Sequence, residues 1–364
     1  MCRSPLHPLL QALPKCEHHM HVEGSLSPEL LFTLAKRNNV TLPEDPAFAS
    51  VEALYARYDQ FSCLDDFLHY YYIGMSVLVT AADFETLALA YFERAHSTRV
   101  RHAEIFFDPQ AHLERGVALS EVVAGLDAAS RVAESRWGLT SLLIPCLLRH
   151  LPVEDSGRVA ESLRPYWPST AAPADSTPLA GLGLCSSERD RPPTLWSDIY
   201  ADTRKAGLAT RFTAHAGEEG PAEYVSLALD HLAVERIDHG NAAAQDPELM
   251  ARLARDRVML TVCPLSNVRL RVAPSVAHVP IRTFLDAGVA FSVNSDDPAY
   301  FGGYIQENYC AVQDAHILEP KHWEIIVRNA VTGSWCDDDR KAVLLAEIDS
   351  VFGHWHNGTL AVEA

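Results

Sequence analysis

The chain is 364 residues long, 48% hydrophobic and 21% charged, with a formal net charge of −18 at pH 7. Those proportions give ample material for a core and exclude a disordered or fibrous chain. The negative balance disfavours nucleic acid and anionic membrane surfaces as partners and suits a small neutral molecule. The eight cysteines, at 2, 16, 63, 146, 185, 263, 310 and 336, show no CxxC spacing. That argues against a zinc ribbon or disulfide framework and for reduced thiols in an intracellular protein, cytoplasmic or nuclear. No run of 18 apolar residues predicts a membrane span, and Pro5, His7 and Pro8 interrupt the N-terminal apolar stretch where a signal peptide would need it continuous.

Taken in chain order, the first predicted strand lies near 16–21 and ends in His19 and His21. Alternate residues of a strand share a face, so the pair can aim two imidazoles at one divalent ion, although a metal site needs three or four convergent donors. A helical insertion is expected over about 25–100, with amphipathic segments at 28–38, 51–59, 64–78 and 83–96. It is expected to serve either as a lid or pocket wall or as a peripheral packing layer. Further strands are predicted near 101–108, 139–149, 179–187, 211–217, 235–239, 258–264 and 289–296, separated by helical periodicity. The Pro-, Ser- and Ala-rich stretch 165–178 reads as a surface loop. Beyond 305 the chain reads as extra C-terminal helices, one of them starting at Asp337-Asp338-Asp339. Eight strands alternating with helices predict an α/β fold of the (β/α)8 TIM-barrel type, one domain over residues 1–364.

Chemistry in such barrels gathers at the C-terminal strand ends. Here those ends carry His19 and His21, then His215-Ala216-Gly217-Glu218-Glu219, Asp238-His239-Gly240, and Ser295-Asp296-Asp297-Pro298. Histidines plus a carboxylate make a shell for one Zn2+ with a water completing it. The fourth strand, ending in Cys185-Ser186-Ser187, offers no Lys or carboxylate before Glu188, which favours one metal over two and leaves His239 for proton handling. Cys185 or Glu188 would reach a metal only if that strand ended elsewhere.

The set His19-Met20-His21-Val22-Glu23-Gly24, His215-Ala216-Gly217-Glu218, Asp238-His239-Gly240 and Ser295-Asp296-Asp297-Pro298 resembles the adenosine/adenine deaminase branch of the amidohydrolase superfamily, from about residue 13 to past 340. Three details resemble the adenine-specific members more than the adenosine-specific ones. They are Glu23 in place of the usual Asp, Phe107-Asp108-Pro109-Gln110-Ala111-His112, and Pro298-Ala299-Tyr300-Phe301-Gly302-Gly303-Tyr304.

The resemblance implies hydrolytic deamination of adenine to hypoxanthine and ammonia, in purine salvage, with one Zn2+ per chain held by His19, His21, His215 and Asp296. It implies that Glu218 protonates N1, that His239 orients or deprotonates the attacking water, that Asp297 bonds N7, and that the backbone near Ser186 meets N3. Glu23, a methylene longer than Asp, is expected to enter the space of a ribose and accept a hydrogen bond from N9–H. The same site would suit adenosine or an N6-substituted adenine, and a non-catalytic purine-binding protein could use the scaffold. A phosphotriesterase-type binuclear site is disfavoured by the fourth strand, and a cytidine-deaminase-type site by the absence of P-C-x-x-C. Oligomeric state is not legible.

Overall fold

The computed structural model describes residues 2–167 and 179–360. Eight strands form: β1 (Lys15–His21), β2 (Val100–Phe107), β3 (Thr140–Leu148), β4 (Gly181–Cys185), β5 (Arg211–Ala216), β6 (Arg236–His239), β7 (Met259–Val262) and β8 (Phe291–Val293). Each pairs in parallel with the next, in the order β1 to β8, with helices on the outside, so the fold is a (β/α)8 barrel. The strands carry almost continuously buried residues, as parallel strands covered on both faces require.

The seam between β8 and β1 is closed by very few bonds. Beyond Asn294, whose N–H still donates to Val262 O of β7 at 2.9 Å, the chain reaches β1, where Asp296 N–H donates to His19 O at 2.9 Å and His21 N–H donates to Asp296 O at 3.0 Å. The β1–β2 register is irregular between Glu17 and Met20, directly beneath the histidine pair.

The opposite, N-terminal end of the barrel is plugged by charge. Buried Arg236 at the start of β6 pairs with buried Glu104 of β2 and lies 3.8 Å from the ring centre of Trp335, and Glu104 also accepts from the Trp335 backbone N–H. Such a pair is held by its hydrogen bonds; removing one partner leaves a buried charge alone, at a cost of about 3–5 kcal/mol.

The stretch between β1 and β2 contains helices Pro28–Arg37, Val51–Tyr58, Leu64–Met75 and Ala81–Ser97, close to the four expected segments. Ser27 and Ser50 cap the first two through side-chain oxygens that accept from Leu30 N and Ala53 N. The C-terminal helices are Ile305–His316, Pro320–Gly333 and Asp338–His356, the last capped by the Asp337 side chain as its acidic run predicts. Of the loop expected over 165–178, residues 168–178 lie outside the described residues, and Arg164–Tyr166 form a single turn of 3-10 helix. All eight cysteines are free, and among the described residues no helix is long and apolar enough to cross a membrane.

Candidate active site

Every strand end singled out in the sequence opens onto one pocket at the C-terminal mouth of the barrel. His19 and His21 descend from β1, His215 from β5, His239 from β6 and Asp296 from the β8–β1 seam, all buried. His19 Nε2 lies 3.2 Å and His21 Nε2 3.6 Å from Asp296 Oδ1, and His21 Nε2 lies 3.2 Å from His215 Nε2. Donors about 2.0–2.2 Å from a shared tetrahedral ion sit about 3.3–3.6 Å apart, so these spacings fit a divalent cation at their common focus. His19, His215, His239 and Asp296 also bring one ligand atom each to within 4.8 Å of one another. His239 nevertheless faces the other oxygen, Oδ2, at 3.8 Å, and sits closer to Glu218 Oε2, at 3.4 Å.

The histidines are held from behind. Asp238, opposite His215 in the β5–β6 register, places Oδ2 3.4 Å from His215 Nδ1. It also accepts from Thr213 Oγ1 at 2.7 Å and Thr261 Oγ1 at 3.0 Å, and Thr261 Oγ1 in turn lies 2.9 Å from His19 Nδ1. Burial opposes the Asp238 charge, but the neighbouring His215 and His19 rings, with Arg236, hold its pKa below the usual carboxylate range. A carboxylate behind a ligating imidazole fixes its tautomer and direction. The sequence reading quoted Asp238 beside His239 but gave it no task.

Glu218 rides on the loop after β5. Glu188, which sequence alone left as a possible metal ligand, instead braces this loop, accepting from Gly217 N at 2.9 Å, Glu218 N at 2.8 Å and Glu219 N at 3.2 Å. Burial, reinforced by Asp296, Glu188 and Glu219, pushes the Glu218 carboxyl well above its ordinary pKa, and burial pushes His239 well below its own. Both shifts act in one direction, favouring a protonated acid beside a neutral imidazole. Asp297 is likewise pushed well up, by burial and by Asp296 and Asp108. Gly24 has no room for a side chain, since a Cβ there would lie 2.0 Å from Asp297 Oδ1. Glu218 Oε1 and Asp297 Oδ1 are buried without a hydrogen-bond partner among the described residues, and both groups line the pocket. Such atoms are costly unless a ligand satisfies them.

Leu64, Phe67, Leu68, Tyr71 and Tyr72 of the helix Leu64–Met75 form the pocket's apolar wall, so the insertion does more than pack at the periphery. Ser186 lies at the rim with its Oγ 2.9 Å from His150 Nδ1. Ser186, His239 and Asp296 all have positive φ, at 74°, 65° and 64°. That conformation is rare for non-glycine residues and gathers at functional sites, where the surrounding structure enforces it.

Glu23, expected to reach the substrate, is not among the residues lining the pocket, although its Oε2 is buried without a hydrogen-bond partner among the described residues. Its Oε1 accepts from Asp108 N at 3.0 Å and pairs with His112 Nε2 at 2.7 Å, while Arg115 Nη2 lies 2.7 Å from His112 Nδ1. Burial raises the Glu23 carboxyl to about 7. Asp108, just after β2, lines the pocket in this sector alongside Glu218, Asp296 and Asp297 elsewhere around it. The sequence reading used Asp108 only as part of the Phe107–His112 motif.

A family model described as adenosine deaminase matches residues 14–351. A Gibberella zeae protein named adenine deaminase is 55% identical over 353 residues, 96% of this chain and 98% of the relative. A Saccharomyces cerevisiae protein of the same name is 49% identical over 343 residues, 94% of this chain and 96% of the relative. Among solved structures, adenine deaminase from Arthrobacter aurescens superposes with a TM-score of 0.87 at 42% identity, covering 94% of this chain and 99% of its own. An amidohydrolase from Burkholderia ambifaria, solved with bound Zn, gives 0.84 at 28% identity, covering 100% and 98%.

Proposed function

The chain belongs to the adenosine deaminase family, and from that premise we propose that it hydrolyses adenine to hypoxanthine and ammonia, as an enzyme of purine salvage. The observation that carries the reading is the joint placement of a buried carboxyl, Glu218, and a buried imidazole, His239, 3.4 Å apart beside the histidine–aspartate cluster.

His19, His21, His215 and Asp296 would hold the metal, with zinc the ion that their nitrogen and oxygen donors and their spacing fit best. Bound there, it would supply Lewis acidity that brings the pKa of water toward about 7. The protein's own groups do the rest. His239 orients the attacking water and takes its proton at Nε2. Its Nδ1 lies 3.4 Å from the side-chain amide of Asn267, whose oxygen and nitrogen exchange places by a half-turn. As oxygen attacks C6, Glu218 gives its proton to N1; the amino group then takes the proton held by His239 and leaves as ammonia, while the new C6 hydroxyl returns its proton to Glu218 and becomes the carbonyl. Asp297 bonds N7, and the backbone near Ser186 approaches N3. The wall of Leu64–Met75 covers the ring face and limits water, which strengthens each of these contacts.

The reading is tested by incubating the metal-loaded protein separately with adenine, adenosine and N6-methyladenine while following the ultraviolet spectrum and free ammonia. Hypoxanthine from adenine, at a rate exceeding turnover of the other two, is expected. Inosine from adenosine as the faster reaction would overturn the substrate assignment, and binding without ammonia release would overturn catalysis.

A further inference from the structure

The order of polar groups around the barrel mouth matches the order of polar atoms around the rim of a purine. Starting at β5 and following the barrel, Glu218 is followed by His239 on β6, Asp297 after β8, Asp108 after β2 and Ser186 after β4. With Glu218 at N1, the reacting C6 faces His239 and the metal cluster, and Asp297 meets N7. The next polar atom around the ring is N9, then N3, which falls to the β4 end. The sector between N7 and N3 therefore belongs to β1 and β2. There, the carboxylate lining the pocket is Asp108.

Its surroundings make it a fixed acceptor rather than a mobile side chain. Asp108 is buried, accepting from Tyr71 Oη at 3.3 Å through Oδ2 and from Cys185 Sγ at 3.5 Å through Oδ1. Its backbone N–H is held by Glu23, and Glu23 is held by His112. Each carboxylate oxygen has capacity for more than one bond. Tyr71, Cys185 and Asp108 line the same pocket.

We propose that Asp108 accepts the N9–H of the bound base and so selects the free base over its N9-substituted forms, with Glu23 as a positioning residue that holds Asp108 in place. The inference rests on the adenine deaminase reading and moves the N9 contact from Glu23 to Asp108. A site whose buried acceptor is left unpaired by an analogue rejects that analogue far more strongly than a site that merely lacks a methylene contact.

The test compares adenine with 9-methyladenine, which lacks the N9 proton and adds little bulk. For the wild type, kcat/KM is expected to favour adenine by about 10²–10⁴-fold. Asp108→Ala should lower kcat/KM for adenine while sparing 9-methyladenine, bringing the ratio to within about tenfold, with metal content unchanged. Asp108→Asn, whose amide oxygen still accepts, should recover part of the preference. An undiminished ratio in Asp108→Ala, or a wild type that handles both bases equally, would overturn the proposal. Absence of adenine turnover by the wild type would instead overturn the deaminase reading. In that case calorimetric binding still reads the contact: a preference for adenine lost in Asp108→Ala supports it, and equal affinities refute it.

Discussion

At the scale of single residues, proton handling and metal binding are assigned to different side chains and should separate experimentally. Glu218→Gln is expected to lower kcat by about 10²–10⁴-fold, the usual worth of a general acid, while bound metal stays near one per chain; parallel assays of rate and metal content check this. The pH profile follows from the directions of the shifts. Glu218 must carry its proton, and because its pKa is raised, activity extends above the ordinary carboxyl range and falls as pH rises past the shifted value. His239 must be neutral, and because its pKa is lowered, activity is lost only on the acid side as pH falls through it. A kcat/KM profile whose alkaline limb disappears in Glu218→Gln would bear this out. The proposed ligands His215 and Asp296 stand out in the sequence because each sits in a short, distinctive motif. Glu188 and Asp238 were harder to read, since a carboxylate that braces a loop or backs an imidazole has no local signature and its partner is fixed only by the fold.

At the scale of elements, the eight strands could be read from alternating patterns because each is a short apolar run bounded by turn residues. The helices of the insertion could be read from their three-and-four spacing. What could not be read was which face of the helix Leu64–Met75 meets the pocket, because Tyr70 and Tyr71 are chemically alike in sequence. Tyr70 bonds Asp45 at 2.8 Å while Tyr71 lines the pocket, a difference of 100° around one helix. Register between β5 and β6 sets Asp238 behind His215, where it would hold the proposed ligand's ring in place. Asp238→Asn should weaken metal binding by about 10–100-fold with the fold intact, which competition against a chelator will measure.

At the scale of the whole molecule, stability carries a buried charge term far from the pocket. Lys15, at the start of β1, donates to Leu13 O at 3.1 Å and Thr98 O at 2.9 Å, and burial, with Arg99 adding to it, pushes its pKa from 10.5 down to about 7. Between those values the unfolded chain holds a proton that the folded chain does not, so stability rises with pH across that window and this benefit is absent below about pH 7. The melting temperature of the wild type relative to Lys15→Met should therefore climb between pH 7 and pH 10; a pH-independent difference would refute the assignment. The β8–β1 seam has a consequence of another kind. The two backbone bonds that close the barrel both belong to Asp296, and its side chain is one of the groups converging on the metal position. The residue that completes the cylinder is thus also a proposed ligand: a chain that has not joined its last strand to its first would lack the proposed metal centre, and an ion bound at the mouth would act as a clasp on the whole fold.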